Sequence, residues 1–290
     1  MNIDRRSLLS MAALAAAPLP RVALAQNSVL PLRTPGIDHL DVMVPDVETT
    51  TKFYMGLLKT ELHAQPYRGG LRYFVLLRPL NDKREVGYIA VGDSTGRGRY
   101  IGHFCTSVYD WRENSEAIFE AMAKEFSAGG YGEFPGTVSF GTFQDPDGIE
   151  IQFLPAPDTL VTVAEPNELV PWHQGLVTPL QLDSVYVIVS NLERALGWYS
   201  VLYGQPAQVS ADSAYFEFPE SQTRLHLQQS RYEYGLRPRI AEFGIKVQPF
   251  DKAAAAAKVE ELGGTVLPSE EPAVLRLRDP DGNTLRLVPV

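Results

Sequence analysis

Ile37-Asp38-His39-Leu40-Asp41-Val42-Met43-Val44-Pro45-Asp46 recurs 145 residues later as Leu182-Asp183-Ser184-Val185-Tyr186-Val187-Ile188-Val189-Ser190-Asn191. The same offset superposes Phe53-Tyr54 on Trp198-Tyr199. A turn of one composition closes each copy, Asp145-Pro146-Asp147-Gly148 and Asp279-Pro280-Asp281-Gly282. The chain is therefore a duplicated domain. His39 of the first copy is answered by Ser184 of the second. A histidine present in one copy and absent from the other is not demanded by the fold, so this difference marks where chemistry is expected.

The 290 residues suffice for two domains, each with its own core. A formal net charge of -9 argues against nucleic acid or an anionic membrane as partner. A single cysteine, Cys105, excludes an intramolecular disulfide. Asp4-Arg5-Arg6-Ser7-Leu8-Leu9 precedes a short Ala-rich apolar run, and Ala23-Leu24-Ala25 offers a cleavage site. The paired arginines resemble a twin-arginine export signal, so residues 1–25 are expected to be removed and the mature protein to be periplasmic or secreted. Their removal takes away Asp4, Arg5, Arg6 and Arg21, leaving the remainder two charges more negative. The apolar run is too short to span a bilayer, and stable membrane insertion is not expected.

Residues 26–36 read as an arm. Residues 37–44 alternate apolar and polar, the period of a strand. Pro45-Asp46 then opens a helix with Val47, Thr51, Tyr54 and Leu58 at helical spacing. Strands are predicted over 71–78, 86–91 and 101–108, a helix over 115–126 that stops at Gly129-Gly130, and a closing hairpin of 137–143 and 149–154. Domain one is thus 37–154, Pro-rich residues 155–179 form a linker, and 180–290 repeat the plan. In the second copy, Asn191 and Asp251 stand as helix caps, and Phe216, 224–228, 242–247, 274–277 and 284–288 lie on strands.

With His39-Leu40-Asp41-Val42-Met43-Val44-Pro45-Asp46, Phe53-Tyr54, Gly102-His103-Phe104 and both Asp-Pro-Asp-Gly turns in view, residues 37–290 resemble the vicinal oxygen chelate superfamily. That superfamily includes glyoxalase I, extradiol ring-cleaving dioxygenases and bleomycin- or fosfomycin-resistance proteins. The resemblance implies an α+β chain of tandem duplicated domains, each made of paired βαβββ modules that form cup-shaped open barrels. It implies His39 and His103 as metal ligands, on strands 64 residues apart. The family's third ligand is a Glu on the last strand, four residues after the turn glycine, and that place holds Gln152. Glu150, two residues earlier, shares its face and would complete a 2-His-1-carboxylate set. Position favours Gln152 and chemistry favours Glu150.

Tyr88 and Asp41 are candidates for acid, base or orienting roles beside the metal. Cys105 shares the face of His103 but reads first as a small buried residue. His63 and His173 read as solvent-facing, His226 as isolated, and Phe53, Tyr54, Trp198 and Tyr199 as packing residues. The second copy reads as metal-free, since Ser184, Glu242 and Arg286 stand at the ligand positions.

The expected protein is an exported enzyme with one divalent metal, Fe(II) ahead of Mn, Zn or Ni. Its partner would be a small substrate with vicinal oxygens. An extradiol-dioxygenase-type reaction stands slightly ahead of a glyoxalase-type lyase or isomerase, because no fourth carboxylate ligand is present on the strand over 86–91. A metal-free, resistance-type binding protein is the competing class. Neither the substrate nor the oligomeric state follows from the sequence.

Overall fold

A computed structural model describes residues 29–67, 70–78, 87–125, 131–134, 138–156, 175–231 and 237–290. The predicted signal, Glu85, His173 and most of the predicted linker lie outside these residues. The first half runs β1 (Gly36–Val44), α1 (Val47–Leu57), β2 (Leu62–Tyr67), β3 (Gly70–Leu76), β4 (Tyr88–Asp93), β5 (Tyr100–Tyr109), α2 (Trp111–Glu125), β6 (Tyr131–Phe134), β7 (Val138–Gln144) and β8 (Glu150–Ala156). These strands form one sheet in the order β2-β3-β4-β1-β5-β8-β7-β6.

The second half runs β9 (Thr178–Val189), α3 (Leu192–Tyr203), β10 (Gln208–Val209), β11 (Ser213–Phe218), β12 (Thr223–Gln229), β13 (Arg239–Gln248), α4 (Lys252–Glu261), β14 (Thr265–Leu267), β15 (Leu275–Arg278) and β16 (Thr284–Pro289). Its sheet has the identical order, β10-β11-β12-β9-β13-β16-β15-β14. Each half is thus two βαβββ modules, joined where their first strands pair antiparallel, β1 with β5 and β9 with β13. Each module's first strand also pairs parallel with its own last strand, as β1 with β4 and β5 with β8. A parallel pair needs a long crossover, which the helix and the two intervening strands supply.

Local chemistry explains where the helices begin. The Asp46 carboxylate accepts from the Thr49 backbone N–H at 3.0 Å, and Asn191 accepts from Arg194 N–H at 2.8 Å. Asp251 accepts from both Ala253 and Ala254 N–H at 3.0 Å. Each such cap satisfies donors that a helix start leaves free, worth about 1 kcal/mol. On β1 the two faces separate cleanly. Leu40, Val42 and Val44 enter the core with Phe53, Tyr54 and Leu57 of α1, while His39 and Asp41 face the concave side.

Four strands escaped the sequence reading: β2, β6 and their counterparts in the second half, β10 and β14. β2 was not expected, because Leu62-His63-Ala64-Gln65-Pro66-Tyr67 shows no clean alternation. β6 is only four residues long. All four lie at sheet edges, where one neighbouring strand suffices and the apolar pattern is weakest. His63 is consequently not a solvent-facing loop residue: it pairs with Phe74 across β2 and β3, and burial lowers its pKa despite Glu61 nearby.

The two halves are latched to each other reciprocally. In each Asp-Pro-Asp-Gly turn the first carboxylate folds back on the turn, Asp145 Oδ1 accepting from Asp147 and Ile149 N–H at 2.8 Å and Asp279 Oδ1 from Asn283 N–H at 2.8 Å. The other carboxylate oxygen takes a hydroxyl from the opposite half. Tyr54 donates to Asp279 at 3.0 Å and Tyr199 to Asp145 at 3.1 Å. Burial, and then the facing carboxylate, raise both phenols well above the usual tyrosine range, so each stays a donor. The arm before β1 joins the same seam: Leu32 N–H donates to Leu202 C=O at 2.7 Å, and Leu30 and Leu32 are buried.

Candidate metal centre

The concave face of the first sheet collects its polar residues by strand parity. His39 stands opposite Cys105, and Asp41 opposite His103, across the β1–β5 pair. The parallel β5–β8 pair sets Glu150 beside His103 and Gln152 beside Cys105. Phe74, Leu76, Tyr88 and Ala90 form an apolar cluster of their own on β3 and β4, away from the main core. The cup is therefore polar along its central strands and apolar along one wall.

His39 is held on three sides. Its Nδ1 lies 2.6 Å from Asp38 Oδ1, and its ring stacks on Tyr88 with centroids 4.2 Å apart and planes 14° off parallel. Its Nε2 lies 3.0 Å from Gln152 Oε1 and 3.3 Å from the Tyr88 hydroxyl. With the proton on Nδ1 donated to Asp38, the Nε2 lone pair points at Gln152, and a carboxylate behind an imidazole is how metal-bound histidines are oriented. At that distance the Gln152 amide either turns its N–H toward this lone pair or shares a cation with it.

His103 meets His39 edge-on, centroids 5.6 Å apart at 78°. Its Nδ1 lies 3.5 Å from Asp41 Oδ2 and 3.9 Å from Glu150 Oε1. Its Nε2 is buried with no hydrogen-bond partner. Burial, opposed by Asp41, pushes its pKa down to about 4, so the imidazole is neutral near pH 7 and offers a lone pair. An unpartnered buried imidazole nitrogen beside a second imidazole and an amide fits a metal site.

The two candidate third ligands occupy different depths. Gln152 is buried at the floor, whereas the Glu150 side chain is 43% exposed at the rim. Burial, and then Asp41, raise the Glu150 carboxyl above its usual range. Asp41 forms an ion pair with Arg72, whose guanidinium lies 4.9 Å from the Tyr67 ring centroid. Tyr88 is buried, and burial together with Asp38 raises its phenol well above the usual range, so it serves as a hydrogen-bond donor.

Asp38 and Arg72 were not singled out in the sequence. Strict alternation assigns Asp38 to the face opposite His39, but the β1–β5 register shifts between Ile37 and His39. That bulge brings Asp38 round to the same imidazole. Gly87 belongs to the arrangement, because a Cβ there would run into the Asp38 carbonyl. The adjacent Asp-His pair was the available signal. Arg72 carried none, being one charged residue on a strand near the sheet edge. Asp38, His39 and Cys105 have potential ligand atoms within 4.8 Å of one another, but burial, and then Asp38, hold the Cys105 thiol protonated.

The second cup places its residues differently. Glu242 receives Arg276 at 2.7 Å and Arg286 at 3.0 Å, and Arg286 also reaches Glu271 at 2.9 Å and the Tyr186 hydroxyl at 2.5 Å. His226 is not isolated: it stacks on Tyr186 at 4.3 Å and leans on Tyr215 at 5.4 Å.

Residues 36–153 match the Glyoxalase/Bleomycin resistance protein/Dioxygenase superfamily. The match covers the first half of the chain, and the second half repeats its strand order. Among solved structures, the Mn(II)-bound glyoxalase from Novosphingobium aromaticivorans is similar over 89% of this chain and 83% of its own, at 12% identity and a TM-score of 0.67. Homoprotocatechuate 2,3-dioxygenase from Arthrobacter globiformis is similar over 91% and 82%, at 14% identity and a TM-score of 0.66. A 2,3-dioxygenase from a Pseudomonas species is similar over 88% and 91%, at 15% identity and a TM-score of 0.63. No curated protein matches the chain in sequence. At these identities the likeness establishes the fold, a framework that hosts several chemistries.

Proposed function

We propose that the first cup holds one divalent cation through His39, His103 and an oxygen of Gln152 or Glu150, and that the chain is a metal-dependent enzyme. Its substrate would be a small molecule with two neighbouring oxygens. The observation that carries this reading is the unpartnered, buried Nε2 of His103 beside the His39–Gln152 pair. Bound there, the cation would supply Lewis-acid stabilisation of the charge that develops on substrate oxygens as a proton leaves. Fe(II) is favoured over Mn, Zn or Ni, as in the ring-cleaving reading.

The chain's own groups define the rest. Asp38 fixes the tautomer of His39, and Asp41, tied to Arg72, orients His103. Tyr88 presents a protonated hydroxyl to the floor of the cup, positioned to donate to a substrate oxygen. Phe74, Leu76 and Ala90 offer an apolar wall against which an aromatic ring packs while water is displaced. That wall supports an extradiol-dioxygenase-type reaction ahead of a glyoxalase-type one. A metal-free binding cup is the second reading, and the neutral amide at Gln152 favours it.

The decisive experiment purifies the protein without chelator and measures metal by elemental analysis. It then loads Fe(II) anaerobically and follows oxygen uptake with catechols. About one metal per chain, lost in His39→Ala and in His103→Ala, is expected. Less than a tenth of a metal per chain after reconstitution rejects the enzyme reading and leaves the binding cup. Metal retained in Glu150→Ala assigns the third position to Gln152.

The Arg5-Arg6 segment supports export of the folded protein and removal of residues 1–25. Cell fractionation of the chain with and without Arg5-Arg6→Lys-Lys tests this, and an unchanged distribution rejects it. Among the described residues no helix is long and apolar enough to cross a membrane.

A further inference from the structure

Away from the first cup, three arginines meet at the seam between the halves. The segment Ser94-Thr95-Gly96-Arg97-Gly98-Arg99 coils through positive φ at Thr95 (52°), Gly96 (79°) and Gly98 (74°), and delivers Arg99 to the start of β5. Arg239 opens β13 and Arg278 closes β15. With Tyr100, Asn283 and Thr284 they line a cleft of about 290 Å³. Gly282 makes room for Arg99: a Cβ there would stand 3.0 Å from its guanidinium carbon.

The lining of this cleft carries three cations. No acidic side chain lines it. Among the described residues, Arg99, Arg239 and Arg278 have no carboxylate partner. Arg33, Arg72, Arg78, Arg194, Arg276 and Arg286 all pair with one. In a chain with 35 acidic and 26 basic residues, three exposed guanidiniums gathered without an acid make a local positive site that an outside anion complements. Burial, and then Arg99, lower the pKa of Arg239, as expected of cations crowded without a counter-charge. Guanidinium does not relieve such crowding by losing its proton at working pH, and its planar fork matches phosphate and carboxylate oxygens.

We infer that the cleft between Arg99, Arg239 and Arg278 is a binding site for a small multivalent oxyanion bearing phosphate or carboxylate groups. The site is separate from metal chelation: Arg99 lies four residues before His103 along the chain, about 13 Å along an extended strand. It stands whether or not the first cup holds a metal.

Calorimetric titration of the full chain with pyrophosphate and with citrate tests the assignment. One saturable site per chain is expected. Tighter pyrophosphate identifies phosphate chemistry, and tighter citrate identifies carboxylate chemistry. Arg99→Gln, Arg239→Gln and Arg278→Gln should each weaken the preferred probe about tenfold or more. Arg231→Gln, a surface arginine paired with Asp212, and His39→Ala should leave it unchanged. All three arginines are exposed, so the variants should keep the circular dichroism and Tm of the parent. Absence of a saturable site overturns the inference. So does an affinity that falls with salt alike for the parent and all three cleft variants.

Discussion

The two cups share one backbone plan and settle their charges in opposite ways. In the first, two imidazoles face each other beside the Gln152 amide, and one nitrogen of His103 has no partner. In the second, Ser184 replaces His39 and simply donates to Asp183 at 2.9 Å, the neighbour equivalent to Asp38. Arg286, at the position of Gln152, brings a covalently tethered cation to Glu242, Glu271 and Tyr186. The first cup gathers two imidazoles and an amide with no cation among them, whereas the second pairs its buried carboxylate with its own guanidiniums. This supports reading the second half as the metal-free copy. A duplicated fold can retire a site by swapping a ligand for a guanidinium, since a buried carboxylate needs a positive neighbour from some source.

Breaking the internal pair should have the largest effect. Arg286→Met leaves Glu242 buried beside only the partly exposed Arg276, and should destabilise the chain by about 3 kcal/mol, read as a lower urea midpoint. Replacing Glu242 and Arg286 together with Leu and Met should restore much of the loss. If the single variant is neutral, the second cup is not held by its ion pairs.

The next effect is acid sensitivity from His226, whose pKa burial, followed by Arg224 and Arg286, lowers to about 4. The unfolded chain binds this proton near pH 6.5 and the folded chain only near 4. Stability from this residue is therefore complete above pH 6.5 and is lost as pH falls toward 4. Allowing for partial exposure, the loss is on the order of 2 kcal/mol. In His226→Phe the dependence of urea stability on pH between 6.5 and 4 should flatten, and an unchanged slope would contradict the assignment.

Converting the first cup toward a charged donor set sharpens the comparison from the other side. Gln152→Glu should tighten divalent metal about tenfold or more, since a carboxylate adds the charge that an amide lacks. Equilibrium dialysis with Mn(II) reads this directly, and no gain would move the third ligand to Glu150. The smallest effect is shared by both halves. Tyr54→Phe and Tyr199→Phe each remove one hydroxyl from a buried carboxylate and should cost about 1–2 kcal/mol apiece. Unequal losses would show that the two latches do not contribute alike.

Much of this was legible in the linear chain because it depends on local rules. The repeat, the three helix caps and both turns follow from side chains that bond their own neighbourhood. The common face of Glu150 and Gln152 follows from the two-residue period of a strand. What stayed hidden depends on partners distant in sequence. Asp38 joins His39 only because β1 slips one residue against β5, and nothing within β1 encodes that slip. Arg72 gains its role from Asp41 on another strand, and His63 loses its expected exposure to an edge strand with no clear pattern.

By itself, then, the sequence determined that this protein is a duplicated α+β chain with its distinctive histidines in the first copy. Periodicity, capping and repetition are written residue by residue. Only the tertiary structure decided which groups meet: His39 with Gln152 and Tyr88, His103 with an unshared nitrogen, Tyr54 with Asp279, and three arginines around an acid-free cleft. Those meetings are set by strand register and by the packing of one half on the other, which a local pattern cannot carry.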